Sequence, residues 1–170
     1  MKLRKLENKD IPFMLEWMHD NDINKFFLGD FNRFDESRVQ KFIAESISDE
    51  NQHYACVNDE DVYLGTISLK NIDYNAKNAE YAISFRKDAH GTGASQFATR
   101  EILKYAFERL ELERVYLNVI NKNVRAIKFY EKMGFVYEGT FRNHVLINHE
   151  LENLRWYGIL KREYMKGREL

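Results

Sequence analysis

The chain opens on a short alternation of apolar and charged positions, Lys2 to Leu6, which predicts a strand. Ile11, Met14, Leu15 and Met18 then recur at helical spacing. They predict an amphipathic helix capped by Asn8 and running to about Asp20. An apolar cluster, Ile23 to Phe27, leads into a loop at Leu28-Gly29-Asp30. Behind Asp35 as a cap, Val39, Phe42, Ile43 and Ile47 mark a second helix whose Glu36, Arg38, Lys41 and Glu45 turn to water. Strands over Tyr54 to Val57 and Val62 to Leu69 flank the turn cluster Asn58-Asp59-Glu60-Asp61 and form a hairpin. A polar turn over Asn71 to Lys77 precedes a third strand, Ala79 to Phe85.

The second half changes rhythm. His90-Gly91-Thr92-Gly93-Ala94-Ser95 opens a long helix reaching about Leu110, and Val115 to Ile120 is a strand. Asn123 to Met133 is a helix ended by Gly134. Phe135 to Tyr137 starts a strand continuing through Val145 to Ile147, Asn148-His149 turns the chain, and Leu151 to Leu160 returns. A meander of antiparallel strands followed by strand–helix–strand–helix–strand predicts an α/β architecture: a central, twisted, mixed sheet with helices on both faces. No repeat or Pro/Gly/Ser-rich linker interrupts the 170 residues, so they are expected to form one domain, 1–170.

Composition narrows the function classes. The chain is 44% apolar and 31% charged, enough for a substantial core and unlike a disordered segment. Its formal charge of −1 argues against a nucleic-acid partner, which usually selects a basic excess. No apolar run is long enough for a membrane span, and the start lacks an apolar leader, so a cytoplasmic protein with no membrane partner is expected. Cys56 is alone, which excludes an intrachain disulfide, and with no base partner evident in its strand it is expected to pack as core. The five histidines show no metal-ligand spacing, and no metal is expected.

The strongest chemical feature is the passage from Phe85 into the long helix. Gly91 and Gly93 can bring backbone N–H groups close to a ligand, and the helix start adds unpaired donors and a partial positive charge. Together they suit a phosphate or diphosphate, although a Gly pair also serves simply to turn the chain. There is no GxxxxGK[ST] segment, and the pair is not GxGxxG, so neither a P-loop nor a dinucleotide fold is indicated.

A second segment, Asn121 to Phe135 (NKNVRAIKFYEKMGF), carries Asn123, Ala126, Tyr130 and Gly134-Phe135 on a helix and its exit. This resembles the last conserved block of the Gcn5-related N-acetyltransferases, and His90 to Ser95 is similar to that family's R/Q-x-x-G-x-G/A loop. The resemblance spans nearly the whole chain, from LRKLENKDI to FVYEGTFRNHVLINHELENLRWYGILKREY. The ending resembles that of the branch containing ribosomal-protein alanine and spermidine acetyltransferases.

It implies acetyl-CoA as cosubstrate, held where the strands Ala79–Phe85 and Val115–Ile120, parallel neighbours, splay apart. Ile83, Ser84 and Phe85 would pair with the pantetheine arm, and a backbone N–H near Phe85 would polarise the thioester carbonyl. His90, Gly91, Thr92, Gly93, Ala94, Ser95 and Gln96 would hold the diphosphate. Asn123 and Ala126 would adjoin the pantetheine arm, with Arg125 and Lys132 toward the nucleotide end. Tyr130 would be the acid that protonates the leaving thiolate. Glu80, in Asn78-Ala79-Glu80-Tyr81, is the best base candidate for the attacking amine, or else positions water or substrate.

Several positions depart from the family pattern. Position 90 is His where Arg or Gln is usual, 92 is Thr where a basic residue is common, and 95 is Ser in place of Gly or Ala. Asp88 adds a negative charge nearby. The main-chain donors survive these changes, so binding is expected to persist, and neutral His90 in place of a basic side chain removes at most a charge-assisted contact worth about 1.5–3 kcal/mol.

The acceptor is expected to be a small-molecule primary amine: a polyamine, an amino sugar or an antibiotic-like amine. A protein N-terminus and a non-catalytic acyl-CoA-binding module are the alternatives. Phe26-Phe27-Leu28-Gly29-Asp30 keeps one acid where the spermidine branch uses several, which weighs against a polyamine. Trp17 to Asn24 is somewhat similar to amino-sugar nucleotide acetyltransferases. Phe26, Phe27, Phe31 and Phe34 are expected to anchor the core or wall the acceptor pocket, and a homodimer stays open as the assembly.

Overall fold

The computed structural model describes residues 1–167; the end of the expected 1–170 domain lies outside the described residues. Seven strands form one sheet: β1 (Lys2–Lys5), β2 (Gln52–Val57), β3 (Tyr63–Asp73), β4 (Asn78–Phe85), β5 (Arg114–Ile120), β6 (Val136–Ile147) and β7 (Glu150–Leu160). Their spatial order is β1-β2-β3-β4-β5-β7-β6. Every pairing is antiparallel except β4 with β5, which is parallel. The helices are α1 (Ile11–Met18), α2 (Asn21–Asn24), α3 (Glu36–Ala44), α4 (Ala94–Lys104), α5 (Val124–Lys132) and α6 (Lys161–Lys166).

Alternation along the strands sorts the core into two layers. On β2, Cys56 belongs to the larger cluster with Ile67, Leu69, Tyr81, Phe85, Ala98, Ile102, Phe107 and Leu117. Its neighbours Ala55 and Val57 belong to a second cluster with Met14, Trp17, Met18, Val39 and Ile43. Thus α4 and α5 cover one face of the sheet, and α1 and α3 cover the other.

Local chemistry explains where the elements depart from expectation. Asn8 is not a helix cap. It lies in a 3-10 turn, Asn8–Asp10, organised by reciprocal capping between Glu7 and Asp10. The buried Asp10 carboxylate receives Arg4 Nη1 and Nη2 at 2.7 and 2.8 Å and the Glu7 amide at 2.9 Å. Pro12 sits in the first turn of α1, where its missing N–H costs nothing. In α1, Trp17 is buried, whereas Leu15 is only half-buried.

Asp35 does cap α3, accepting from the Arg38 amide at 2.8 Å. Ile47 has left that helix; it is exposed and bridges Gln52. Asp35→Ala is expected to cost about 1 kcal/mol and lower Tm by roughly 2–4 °C in thermal denaturation. β3 runs four residues past Leu69, and α4 continues as one π-helical turn, Tyr105–Arg109. α2 and α6 are short helices that the periodicity does not announce.

Candidate functional site

The parallel pair at the centre of the sheet is short. Asn78, Ala79 and Glu80 pair with Arg114, Val115 and Tyr116, and beyond them the strands diverge. β4 stays laddered to β3 as far as Phe85, and β5 to β7 as far as Ile120. Each strand therefore turns one edge of unshared main-chain groups toward the wedge. Such groups are costly when they face no partner and are suited to an extended, amide-bearing ligand. The wedge opens into a groove of about 400 Å³ lined by Ile83, Phe85, His90, Ser95, Asn123, Arg125, Ala126, Phe129 and Tyr130. Ile23, Phe26 and Phe27 line the same groove.

At the mouth, Gly91 and Gly93 hold φ of +79° and +84°, and a Cβ on either would meet nothing within 4 Å. Glycine is required there for backbone conformation and not for lack of space. Thr92 serves the loop itself: its hydroxyl donates to the Ala89 carbonyl at 2.8 Å and accepts from the buried Ala94 amide at 3.3 Å. It is therefore committed inside the turn and does not stand in for a basic side chain.

The first-turn amides of Ser95 and Gln96 have no intrahelical acceptor by geometry. Arg125 reaches over from α5, with Nη1 3.3 Å from His90 Nδ1. The His90 pKa is lowered, chiefly by burial and then by Arg125. Asn123 caps α5, its Oδ1 accepting the Ala126 amide at 3.2 Å, which leaves its NH₂ for a ligand.

Tyr130 projects from α5 into the groove, packed edge-on against Tyr81, Phe129 and Phe135. Burial pushes its phenol up to about 12, so it holds its proton at neutral pH. Glu80 lies at the vertex of the wedge. Its neighbours Ala79 and Tyr81 point into the larger core, so Glu80 points from the opposite face of the sheet. One carboxylate oxygen receives Lys70 Nζ at 2.9 Å and the other Asn71 Nδ2 at 2.8 Å. Each oxygen retains a further lone pair for a proton or a water.

The remaining expected residues scatter. Ser84 alternates with Ile83 and Phe85 and points to the Glu80 face. Gln96 and Lys132 line a separate depression of about 450 Å³ with Arg100, between α4, α5 and α6. Cys56 is fully buried with its thiol raised to about 11 by burial, inert as a nucleophile. Among the described residues, no three His, Cys, Asp or Glu side chains gather as a metal site. No helix of the described residues is long and apolar enough to cross a membrane.

Sequence reasoning missed two neighbours of Glu80. Tyr116 is its register partner, and its ring stacks at 6.1 Å on Trp156, which shares that face. Among the described residues, the buried Trp156 indole N–H has no hydrogen-bond partner. The parallel register of β4 on β5 was the only pointer to this cluster, and it is not legible from either strand alone.

Comparison with known proteins bears directly on this arrangement. The sequence model of the acetyltransferase (GNAT) domain family matches residues 1–136. A spermidine N(1)-acetyltransferase of Vibrio cholerae is 28% identical over 99% of this chain and 98% of its own length. A putative ribosomal N-acetyltransferase, YdaF, of Bacillus subtilis is 32% identical over 95% of this chain and 92% of its own. The crystal structure of spermidine N-acetyltransferase from Vibrio cholerae in complex with CoA and spermine superposes with a TM-score of 0.88, covering 96% of this chain and 97% of that one at 24% identity. The sheet order, the wedge and these matches agree: the chain belongs to the GNAT family of N-acetyltransferases, transferases that draw on acetyl-CoA.

Proposed function

We propose that residues 1–170 act in the cytoplasm as one catalytic domain that transfers the acetyl group of acetyl-CoA to the primary amine of a small molecule. The observation that carries this reading is the wedge, with an unpaired edge on both strands and a protonated phenol, Tyr130, beside it. Pantetheine would run along the edge at Ile83 to Phe85. The diphosphate would meet the His90–Gln96 turn, and Asn123 and Arg125 would hold the far wall. The neutral amine nitrogen attacks the thioester carbonyl, forming the C–N bond as the C–S bond breaks. Tyr130 gives its proton to the departing thiolate, and its phenolate recovers one, directly or through water, from the nitrogen of the newly formed amide. The proton lost by the ammonium passes to Glu80, directly or through water, from the sheet face opposite Tyr130.

Freeing an alkylammonium at pH 7 costs roughly 4–5 kcal/mol, which gives a carboxylate at that position a use. Glu80→Gln is expected to lower kcat/KM about tenfold or more at pH 7 and progressively less toward pH 9, where more amine is already neutral. A deficit independent of pH would assign Glu80 to positioning.

The apolar side chains of Ile23, Phe26 and Phe27, which line the groove with Tyr130, support a small acceptor over a peptide. Asp30, the acid of the neighbouring loop, is paired with Arg33 at 2.8 Å, so a polycation would have to compete for it. The relative named as a ribosomal acetyltransferase keeps a protein N-terminus as the second reading. Thiol release from acetyl-CoA, measured across polyamines, amino sugars, aminoglycosides and N-terminal peptides, separates the two. Turnover with peptides alone overturns the small-amine reading, and turnover with none despite tight cofactor binding favours a binding module. The exposed apolar side chains of β6 and β7, including Tyr137, Phe141, Leu146 and Leu151, support a homodimer.

A further inference from the structure

His90 occupies a hinge point of the proposed cosubstrate groove. Its ring lines the groove together with Phe85, the last residue of β4, and Nδ1 faces Arg125 on α5 at 3.3 Å. It thus stands in the wedge between the end of β4 and α5, in contact with Arg125. We propose that His90 is an anion-binding residue that takes up a proton as the diphosphate of acetyl-CoA arrives, so that cosubstrate binding is coupled to protonation at this position. The inference rests on the acetyl-CoA reading above.

The surroundings set the direction. Arg125 from α5 and Lys87 from the preceding 3-10 turn disfavour a charged ring, and burial does so more strongly. The Phe85 main chain and then Asp20, ahead of α2, pull the other way, less than burial or Arg125 and more than Lys87. Asp22 of α2 and Lys25 just after it line the same groove with opposite signs. The ring is therefore neutral in the free protein at pH 7. With Arg125 donating, Nδ1 is the acceptor and Nε2 carries the hydrogen.

A diphosphate brings at least two negative charges to the same mouth. That charge reverses the balance: Arg125 can turn to the anion, and Nδ1 gains a proton from solvent and donates to it. A permanently charged Arg at position 90 would bind with no such proton exchange, so the His creates the coupling.

The test uses the full chain and dephospho-CoA, whose diphosphate does not titrate between pH 6 and 8 and which lacks the titrating 3′-phosphate. Calorimetric titrations at pH 7 in buffers of different ionisation enthalpy report the protons taken up. The wild type should take up a substantial fraction of one proton and bind about tenfold more tightly at pH 6 than at pH 8. His90→Gln should take up none and show an affinity that is flat over this range. An NMR titration of the His90 ring, free and bound, reads the same step without a variant, and its midpoint should rise on binding. Equal pH slopes in wild type and His90→Gln, or a ring midpoint that does not rise, overturn the inference while leaving cosubstrate binding intact. Absence of dephospho-CoA and acetyl-CoA binding in the wild type overturns the acetyl-CoA reading itself and this inference with it.

Discussion

Tyr130→Phe is expected to lower kcat by about 10²- to 10³-fold while leaving the Kd for acetyl-CoA within about twofold. The substitution deletes one oxygen and keeps the ring, whose edge-on contacts with Tyr81, Phe129 and Phe135 supply the packing. Tm should therefore stay within about 1 °C. The loss falls on the step in which charge builds on sulfur. Without a donor, the thiolate leaves as an anion into a groove walled by Phe85 and Phe129. Thiol release by stopped-flow and cofactor affinity by calorimetry check the two halves separately.

The pH profile gives an independent sign. With its phenol raised to about 12, Tyr130 stays protonated up to pH 10, so kcat/KM should climb from pH 6 to 9 as the acceptor loses its proton, with no fall from this acid. Equal turnover in the variant would remove Tyr130 from the acid role, and a large loss of affinity would make it a binding residue instead.

What the sequence disclosed about this site follows from its local content. The turn of Gly91 and Gly93 needs a backbone that only glycine adopts easily, and the spacing of Asn123, Ala126 and Tyr130 is a single helix face. Both are properties of a few consecutive residues, and both appear in the structure as read. Lys132 lies apart from Asn123 for a reason helix arithmetic exposes. It lies nine residues from Asn123, about 13 Å along α5 and half a turn around it, and it meets Gln96 and Arg100.

The partners of Glu80 were hidden more deeply. Asn71 reads as a turn residue, and its φ of +50° agrees with that, yet β3 continues through it to Asp73 across a register shift. Only the hairpin register brings Lys70 opposite Glu80, and register is a property of two strands together. The outer strand β6 was equally faint. It has one neighbour, β7, and exposes side chains on both faces, so it lacks the clean alternation that a half-buried strand writes into its sequence.

Gly65→Ala is expected to destabilise the protein by about 3 kcal/mol and lower Tm by roughly 6–12 °C, although the residue touches no proposed ligand. Gly65 lies on β3 directly opposite Phe85 of β4. A Cβ there would stand 2.5 Å from Phe85 Cγ and Cδ2 and 2.6 Å from the Ser84 carbonyl oxygen. The carbonyl belongs to the ladder, and the ring is buried in the larger core, so neither can step aside without strain. The ring lines the groove, so a variant that displaces it should also weaken acetyl-CoA binding. Phe85→Leu in the same background, which thins the side chain facing residue 65, should recover part of the lost stability. Gly158→Ala supplies the contrast. Its Cβ would also stand 2.5 Å from other atoms, but these are Arg114 Nη1 and Glu138 Oε1, the far ends of two flexible, partly exposed side chains paired with each other. They can swing into solvent, and the expected cost is below about 1 kcal/mol. Thermal denaturation of both variants checks the pair. Equal Tm losses would show that proximity alone sets the cost, and a Gly65→Ala protein within about 1 °C of the wild type would show that β3 and β4 can separate at this point, which would also loosen the edge against which pantetheine is proposed to lie.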